Sequence, residues 1–266
     1  MLKGLLRSVL GKMRIEVRRT PRSGSSLPSE LPVLGYDMER DAQSAIRAVQ
    51  SHTMVPYQRL VVLYQQVAFC ERQGIDGCYV ECGTWRGGAS GLMALANVAC
   101  GTRRRHLHLF DSFEGIPEPI EEKDGAEAAA WAKAHGAGVT GRLEPIRGAY
   151  SSVGSLEVNT DLLERQLRYP PEFVHYHKGW FQDTVPRDAR TLGPIAILRL
   201  DGDWYESTRI CLEHLHEHVV SGGFVIMDDY NCVEGCKRAT DEFFRSRNLR
   251  VFLHHLDGHG RYWVKP

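Results

Sequence analysis

Several features that would assign a chain to a particular class are missing from this sequence of 266 residues. It has no run of about 18 consecutive apolar residues, so we expect no membrane-spanning helix and no stable membrane anchoring. It has no excess of charge either, because 33 basic residues balance 33 acidic ones. Zinc-finger, RNP-type and basic-zipper signatures are also absent. We therefore expect no nucleic-acid partner.

Closely paired cysteines are missing as well. The 7 cysteines are an odd number and include no CxxC pair, which suits neither a disulfide framework nor a zinc site. Reduced thiols in a cytoplasmic protein are the simplest interpretation. A P-loop, the GxGxxG dinucleotide fingerprint and the GxSxG elbow of serine hydrolases are not found. Their absence argues against the common phosphate-binding and hydrolase classes.

The N-terminal segment, residues 1–19, is basic and carries apolar residues at helical spacing. These are Leu2, Leu5, Leu6, Val9, Leu10 and Met13. The pattern predicts a helix that packs in an assembly or, alternatively, lies on an anionic membrane. It lacks a long apolar stretch and a small-residue cleavage site, so we do not interpret it as a signal peptide. Residues 20–35 are rich in Pro, Ser and Gly and predict a linker.

From residue 78 onward, short apolar strands alternate with helical patterns. Strands are predicted at 78–82, 106–110, 173–177, 195–200, 223–228, 250–255 and 260–264. Helices are predicted at 38–51, 57–73, 88–100, 155–168, 205–220 and 235–247, with an Ala-rich insertion at about 115–150. Apolar strands separated by helices indicate a parallel sheet covered on both faces. The sequence therefore predicts a doubly wound α/β domain with five parallel strands and a C-terminal antiparallel hairpin.

Two predicted strand ends carry residues that suit a nucleoside ligand. Glu81 ends the first strand, and Gly83, Gly87 and Gly88 lead from it into a helix. Such glycines let the backbone approach a ligand closely, although a plain tight turn would also explain them. Asp111 ends the second strand, where an acidic side chain can accept hydrogen bonds from ribose hydroxyls. Because Glu81 is acidic, a cationic ligand such as S-adenosylmethionine fits this edge better than a pyrophosphate.

Aspartates follow two further strands. Asp201 and Asp203 come after the fourth strand, and Asp228 and Asp229 come after the fifth. These strands are neighbours in the predicted topology, so the carboxylates crowd one edge of the sheet and repel one another. A hard cation relieves that repulsion, and ligation by carboxylates alone favours Mg²⁺ over zinc. Helix capping by one or two of them is the alternative.

Six segments in this order resemble the macrocin O-methyltransferase family of antibiotic-sugar methyltransferases, which includes noviose 4-O-methyltransferase. The segments are VECGTWRGG (80–88), FDSFEGIP (110–117), GWFQDTVP (179–186), LDGDWYEST (200–208), GGFVIMDDY (222–230) and GCKRATDEFF (235–244). The resemblance covers about residues 50–264. Cys82 departs from the pattern, since relatives usually have a small or hydroxyl residue there. The resemblance implies a class I methyltransferase fold, which is Rossmann-like.

The resemblance also implies ligands and residue functions. It makes Asp201, Asp228 and Asp229 the ligands of Mg²⁺ or a similar hard divalent cation, and Asp203 the general base. The residues that it assigns to S-adenosylmethionine are Glu81, Gly83, Thr84, Trp85, Gly87 and Gly88 at the amino-acid part, Asp111 and Ser112 at the ribose, Gly179 and Trp180 near the adenine, and Thr53 and Met54 in a closing segment.

The implied activity is transfer of a methyl group from S-adenosylmethionine to a sugar hydroxyl of a glycosylated natural product, by a homo-oligomeric enzyme of antibiotic biosynthesis. Residues 1–57 would form an N-terminal helix, a linker and a lid, and residues 58–266 the catalytic domain. The alternative is a metal-dependent glycosyltransferase that uses Asp201, Gly202 and Asp203 as a DxD motif. Glu81 and Asp111 would repel the diphosphate-sugar of such an enzyme. A non-catalytic cofactor-binding protein is a third possibility, against which the intact aspartates argue.

Overall fold

The computed structural model of the chain describes residues 33–149 and 153–266. The predicted N-terminal helix and most of the linker therefore lie outside the described residues. The α-helices of the described part are α1 (Glu39–Val49), α2 (Tyr57–Gln73), α3 (Gly88–Cys100), α4 (Glu121–Ala134), α5 (Leu156–Thr160, continued as a π-helix over Asp161–Gln166), α6 (Phe181–Asp188), α7 (Tyr205–Leu215) and α8 (Glu234–Ser246). The strands are β1 (Cys78–Cys82), β2 (Leu107–Asp111), β3 (Val174–Lys178), β4 (Ile195–Leu200), β5 (Val219–Met227), β6 (His254–His255) and β7 (Arg261–Val264). Within these two ranges, no helix has the length and apolar character that a bilayer crossing requires.

The strands form a single mixed sheet of 7 strands in the order β3-β2-β1-β4-β5-β7-β6. Strands β1 to β5 run parallel, whereas β7 is antiparallel to both β5 and β6. The predicted five parallel strands and C-terminal antiparallel hairpin are thus confirmed. The strand order reverses between β1 and β4, and ligands of doubly wound sheets bind at that point, beyond the carboxyl ends of the strands.

Two apolar layers hold the helices against the sheet. One layer joins α1, α2 and α3 to the face that carries Tyr79 and Ile197. The other joins α6, α7 and α8 to the face that carries Val80 and Leu198. Neighbouring residues of a strand point to opposite faces, so each buried strand contributes to both layers. The predicted helices on both faces are confirmed.

Four elements differ from the sequence prediction by more than two residues. Helix α7 ends at Leu215 rather than at residue 220, because β5 begins shortly after it. The apolar pattern does not predict α6, because this helix is short and contains Pro186. Strand β5 begins at Val219 instead of residue 223, since Gly222 and Gly223 interrupt its apolar pattern. Strand β6 covers two residues rather than 250–255, because it pairs with β7 only there.

Histidines stack across β2 and β3 near one edge of the sheet. His108 Nδ1 lies 3.1 Å from His177 Nε2, and His106 Nδ1 lies 2.8 Å from His175 Nε2. The His177 ring also stacks on Phe110, with ring centroids 3.9 Å apart. Burial, together with the neighbouring histidines, lowers the pKa of His108 from 6.5 to about 3. The folded protein therefore holds His108 in its neutral form.

This arrangement predicts a loss of stability in acid. The unfolded chain gains a proton at His108 near pH 6.5 and the folded protein only near pH 3, so the free energy of unfolding falls as the pH drops between those values. At pH 5 the loss from this residue is about 2 kcal/mol relative to pH 8. Replacing His108 by Phe keeps an aromatic ring and removes the titration. Urea unfolding at pH 8 and pH 5 should show a smaller pH dependence in that variant, and an unchanged dependence would contradict the prediction.

Candidate active site

A cavity of about 440 Å³ opens at the carboxyl ends of β1, β2, β3 and β4. Its wall includes many of the predicted residues, namely Met54, Gly83, Trp85, Asp111, Ser112, Gly179, Trp180, Asp201 and Asp203. Other predicted residues lie behind the wall or beside it, namely Thr53, Glu81, Thr84, Gly87, Gly88, Asp228 and Asp229. The structure thus places seven of the twelve residues predicted for the cofactor, together with Asp201 and Asp203, on the wall of one cavity.

The cavity wall also contains residues that sequence reasoning did not identify. Gln182 and Phe181 come from the first turn of α6, directly after Trp180. Their position inside the GWFQDTVP segment is a signal that could have found them. Arg147 comes from the insertion, where no pattern points to it.

Two glycines of the first loop are required by close contacts. Gly83 has a φ of +88°, and a Cβ on it would overlap with the backbone carbonyl of Asp201. This contact joins the ends of β1 and β4. A Cβ on Gly88 would lie 2.5 Å from the carbonyl oxygen of His52 and 2.6 Å from Cβ of Thr53. Gly88 therefore lets the segment before α2 pack on the start of α3, where Met54 reaches the cavity.

Asp111 is hydrogen-bonded to the loops that follow β1 and β2. Its Oδ2 accepts hydrogen bonds from the backbone N–H groups of Thr84 at 2.7 Å and Trp85 at 3.2 Å, and its Oδ1 accepts one from Phe113 at 2.7 Å. Burial raises the pKa of the Asp111 carboxyl, and these backbone donors lower it. Oδ1 keeps the capacity to accept another hydrogen bond from a ligand in the cavity.

The predicted metal ligands form one cluster. Asp201, Asp228 and Asp229 each offer a carboxylate oxygen, and these oxygens lie within 4.8 Å of one another. Asp229 Oδ2 is buried and has no hydrogen-bond partner among the described residues. Burial and the nearby carboxylates, Asp203 foremost among them, raise the pKa of Asp229 well above its usual range. A buried acceptor without a donor, beside two further carboxylates, fits a hard divalent cation.

Buried arginines compensate part of this negative charge. Arg199 on β4 donates to Glu81 at 2.6 Å, to Asp201 at 3.0 Å and to Asp228 Oδ1 at 2.7 Å. Arg59 on α2 donates to Asp228 Oδ2 at 2.6 Å. Both oxygens of Asp228 are therefore bound to guanidinium groups. Asp201 accepts one bond from Arg199 through Oδ2, whereas Oδ2 of Asp229 accepts none from the described residues.

Glu81 is buried between β1 and α3. Its carboxylate accepts hydrogen bonds from Ser90 and Arg199. Burial raises the pKa of Glu81 to about 7, although Arg199 and Ser90 lower it. The side chain does not lie on the cavity wall. Its predicted contact with the cofactor stays a prediction, and Gly83 and Trp85 are the residues of this loop that reach the cavity.

Asp203 occupies a tight turn between β4 and α7. Its φ of 55° lies in the left-handed region, and the next residue, Trp204, donates a backbone hydrogen bond to Gly202 at 2.6 Å. This turn places Asp203 on the cavity wall, near enough to Asp229 to act on its pKa. A carboxylate at this position can accept a proton from a ligand held beside the aspartate cluster.

Comparison with known proteins agrees with this geometry. The family described as macrocin-O-methyltransferase (TylF) matches residues 34–265. The chain is 34% identical over 232 residues to the 8-demethyl-8-(2,3-dimethoxy-alpha-L-rhamnosyl)-tetracenomycin-C 4'-O-methyltransferase of Streptomyces olivaceus, covering 86% of this chain and 82% of that one. It is 34% identical over 215 residues to the demethyldecarbamoylnovobiocin O-methyltransferase of Streptomyces niveus, covering 81% and 76%. The solved structure of the O-methyltransferase NovP superposes with a TM-score of 0.65 at 33% identity, covering 80% of this chain and 82% of that one. The chain therefore belongs to the macrocin-O-methyltransferase (TylF) family and is an S-adenosylmethionine-dependent O-methyltransferase.

Proposed function

We propose that this enzyme methylates a sugar hydroxyl of a glycosylated natural product and that it needs Mg²⁺ or a similar divalent cation. The observation that carries the proposal is that Gly83, Asp111 and Asp203 line one cavity beside the cluster of Asp201 and Asp229. The Streptomyces olivaceus relative is named for the 4′ oxygen of a rhamnosyl tetracenomycin, which supports a sugar acceptor. A glycosyltransferase gains no support from the family match.

The chemistry requires activation of a weak nucleophile. A sugar hydroxyl holds its proton at neutral pH, and a bound divalent cation would supply Lewis acidity that lowers the pKa of that hydroxyl. Asp201 and Asp229 would hold the cation, together with Asp228, which Arg59 and Arg199 keep in place.

In this proposal Asp203 accepts the hydroxyl proton on a carboxylate oxygen while the oxygen attacks the methyl carbon, in line with the departing sulfur. The loops after β1, β2 and β3 orient the methyl donor against the hydroxyl. Near-attack geometry of this kind lowers the barrier by roughly 7–11 kcal/mol.

Placement of the cofactor within the cavity is part of the proposal. We infer that its amino-acid part lies at Gly83 and Trp85, its ribose at Asp111, and its adenine near Gly179 and Trp180. Thr53 and Met54 would close over it, which is supported by the packing of Thr53 on Gly88. The homo-oligomeric state, the cytoplasmic location and the division of the chain at residue 57 remain predictions.

The proposed function is tested by following release of S-adenosylhomocysteine across a panel of glycosides and their aglycones. We expect turnover with glycosides alone, and mass spectrometry of the product should place the added methyl group on a sugar oxygen. Methylation of the aglycones, or of neither group, would contradict the sugar assignment.

The ribose assignment predicts that Asp111→Ala weakens binding of S-adenosylhomocysteine by about 1.5–3 kcal/mol, because a charge-assisted hydrogen bond is lost. Affinity for Mn²⁺ should stay near that of the parent. Isothermal titration of each ligand measures both effects. Asp161→Ala is the control, because the partly exposed Asp161 carboxylate accepts hydrogen bonds from Arg165 and Gln166 and does not line the cavity. Unchanged cofactor affinity would remove Asp111 from the site.

A further inference from the structure

The insertion is attached to the turn that carries Asp203 through one buried carboxylate. Asp124 lies on α4 and is 3% exposed. Its Oδ2 accepts a hydrogen bond from the backbone N–H of Ile120 at 2.7 Å, inside the insertion. Its Oδ1 accepts one from the backbone N–H of Tyr205 at 2.6 Å, at the start of α7. Asp124 therefore joins the insertion to the residue that lies two positions after Asp203.

A second contact attaches the same turn. The indole N–H of Trp204 donates to the carbonyl oxygen of Pro117 at 2.8 Å, and its ring lies 5.8 Å from the ring of Trp131 on α4. Both residues that follow Asp203 are thus hydrogen-bonded to the insertion. Asp203 itself has a left-handed backbone, which costs of order 1–3 kcal/mol for a residue with a side chain and persists only where neighbours hold it.

Helix α8 passes close to Asp124. A Cβ on Gly235, at the start of α8, would overlap with Asp124 Oδ1 and would lie 2.8 Å from the backbone nitrogen of Tyr205. Glycine is therefore required where α8 passes over this carboxylate. Burial raises the pKa of the Asp124 carboxyl, and the backbone N–H groups of Tyr205 and Ile120 lower it. Asp124 does not lie on the wall of the active-site cavity.

We propose that Asp124 is a positioning residue, which holds the turn Asp201–Trp204 so that Asp203 faces the acceptor hydroxyl. The proposal rests on the proposed function, in which Asp203 is the base. It makes the insertion a part of the catalytic frame, in addition to any contact that it makes with the acceptor. A substitution in the insertion that contacts neither the cofactor nor the acceptor is then expected to change the kcat.

Asp124→Asn tests the proposal, because the variant keeps the size of the side chain and turns an N–H donor toward one of the two backbone donors. We expect the kcat to fall roughly tenfold to a hundredfold, as for a small misplacement of a reacting group. The KM of the acceptor and the affinities for S-adenosylhomocysteine and Mn²⁺ should change less than about threefold, since those ligands do not touch Asp124. Hydrogen exchange at the Tyr205 amide should be faster in the variant.

Lys133→Ala, also on α4, is the matched control. It removes the exposed ion pair between Lys133 and Glu121, at 3.0 Å, and leaves the bonds of Asp124 and Tyr205 intact. This variant should keep the kcat and the Tyr205 exchange rate of the parent. If Asp124→Asn does not fold, Trp204→Phe removes the bond to Pro117 together with part of a buried ring, and it should lower the kcat in the same direction with an unchanged KM.

Two results would overturn the proposal, namely parental exchange at Tyr205 in Asp124→Asn, or faster exchange there with a parental kcat. Failure of the proposed function has a separate signature. In that case the parent enzyme itself methylates no glycoside, whereas the exchange rate of Tyr205 still reports whether Asp124 holds the turn.

Discussion

Replacing Asp203 by Asn should lower turnover roughly 10²–10⁴-fold, which is the usual contribution of a general base. The amide has nearly the same size as the carboxylate but cannot accept the hydroxyl proton. Asp203 lies on the cavity wall, and the hydrogen bond from Trp204 to Pro117 holds its turn in place. Replacing one carboxylate oxygen by an amide nitrogen should therefore leave the geometry of the site unchanged. Binding of the cofactor, the acceptor and Mn²⁺ should therefore be retained.

Single-turnover kinetics with S-adenosylmethionine and a glycoside acceptor measure the effect on the chemical step, and calorimetry measures the binding. Asp183→Asn is the control, because it makes the same chemical change on α6 at a residue that does not line the cavity. A normal rate for Asp203→Asn would show that another group removes the proton.

Removal of divalent cations by a chelator should abolish methyl transfer, and Asp201→Asn should raise the Mg²⁺ concentration needed for half-maximal rate about tenfold to a hundredfold. The estimate follows from the loss of one charged ligand, which costs about 1.5–3 kcal/mol. Excess Mg²⁺ should restore part of the rate, because the amide oxygen of Asn still offers one neutral ligand.

Calorimetry with Mn²⁺ gives the metal affinity independently of turnover. The matched control is Asp241→Asn on α8, where the carboxylate pairs with Lys237 and Tyr230 rather than with the cluster. Full activity in the presence of a chelator would disprove the metal mechanism. If excess metal does not rescue Asp201→Asn while Asp203→Asn turns over normally, the assignments of the two aspartates are reversed.

The sequence predicts the sheet and the part of the cavity wall that follows the strand ends, for a shared physical reason. Parallel strands place their carboxyl ends on one edge, so residues that end different strands meet there even when they are far apart in the chain. Asp111, Asp201 and Asp229 could all be placed by this rule without any knowledge of contacts. The glycines of the first loop follow from the same rule, and the overlap at Gly83 supplies the steric reason.

The compensating charges could not be predicted in the same way. Arg59 and Asp228 are separated by 169 residues, and Arg59 belongs to a helix whose apolar pattern gives no reason to expect a buried cation. Asp124 and Tyr205 are separated by 81 residues and meet because α4 of the insertion packs against α8, beside the first residue of α7. Contacts between residues so far apart depend on how helices and strands pack against one another. The periodicity of apolar residues along the chain carries no information on that packing.

The ion pair between Arg59 and Asp228 connects helix α2 to the aspartate cluster. Arg59 stands near the start of α2, a few residues after Met54, and its guanidinium binds both the side chain and the backbone carbonyl of Asp228. If the cofactor and the cation bind as we propose, a shift at Met54 that moves Arg59 would also move Asp228 through this ion pair. Each ligand would then change the affinity for the other by the same factor, because binding free energies are reciprocal. Binding of the two would be one coupled process, whose total free energy does not depend on which ligand binds first.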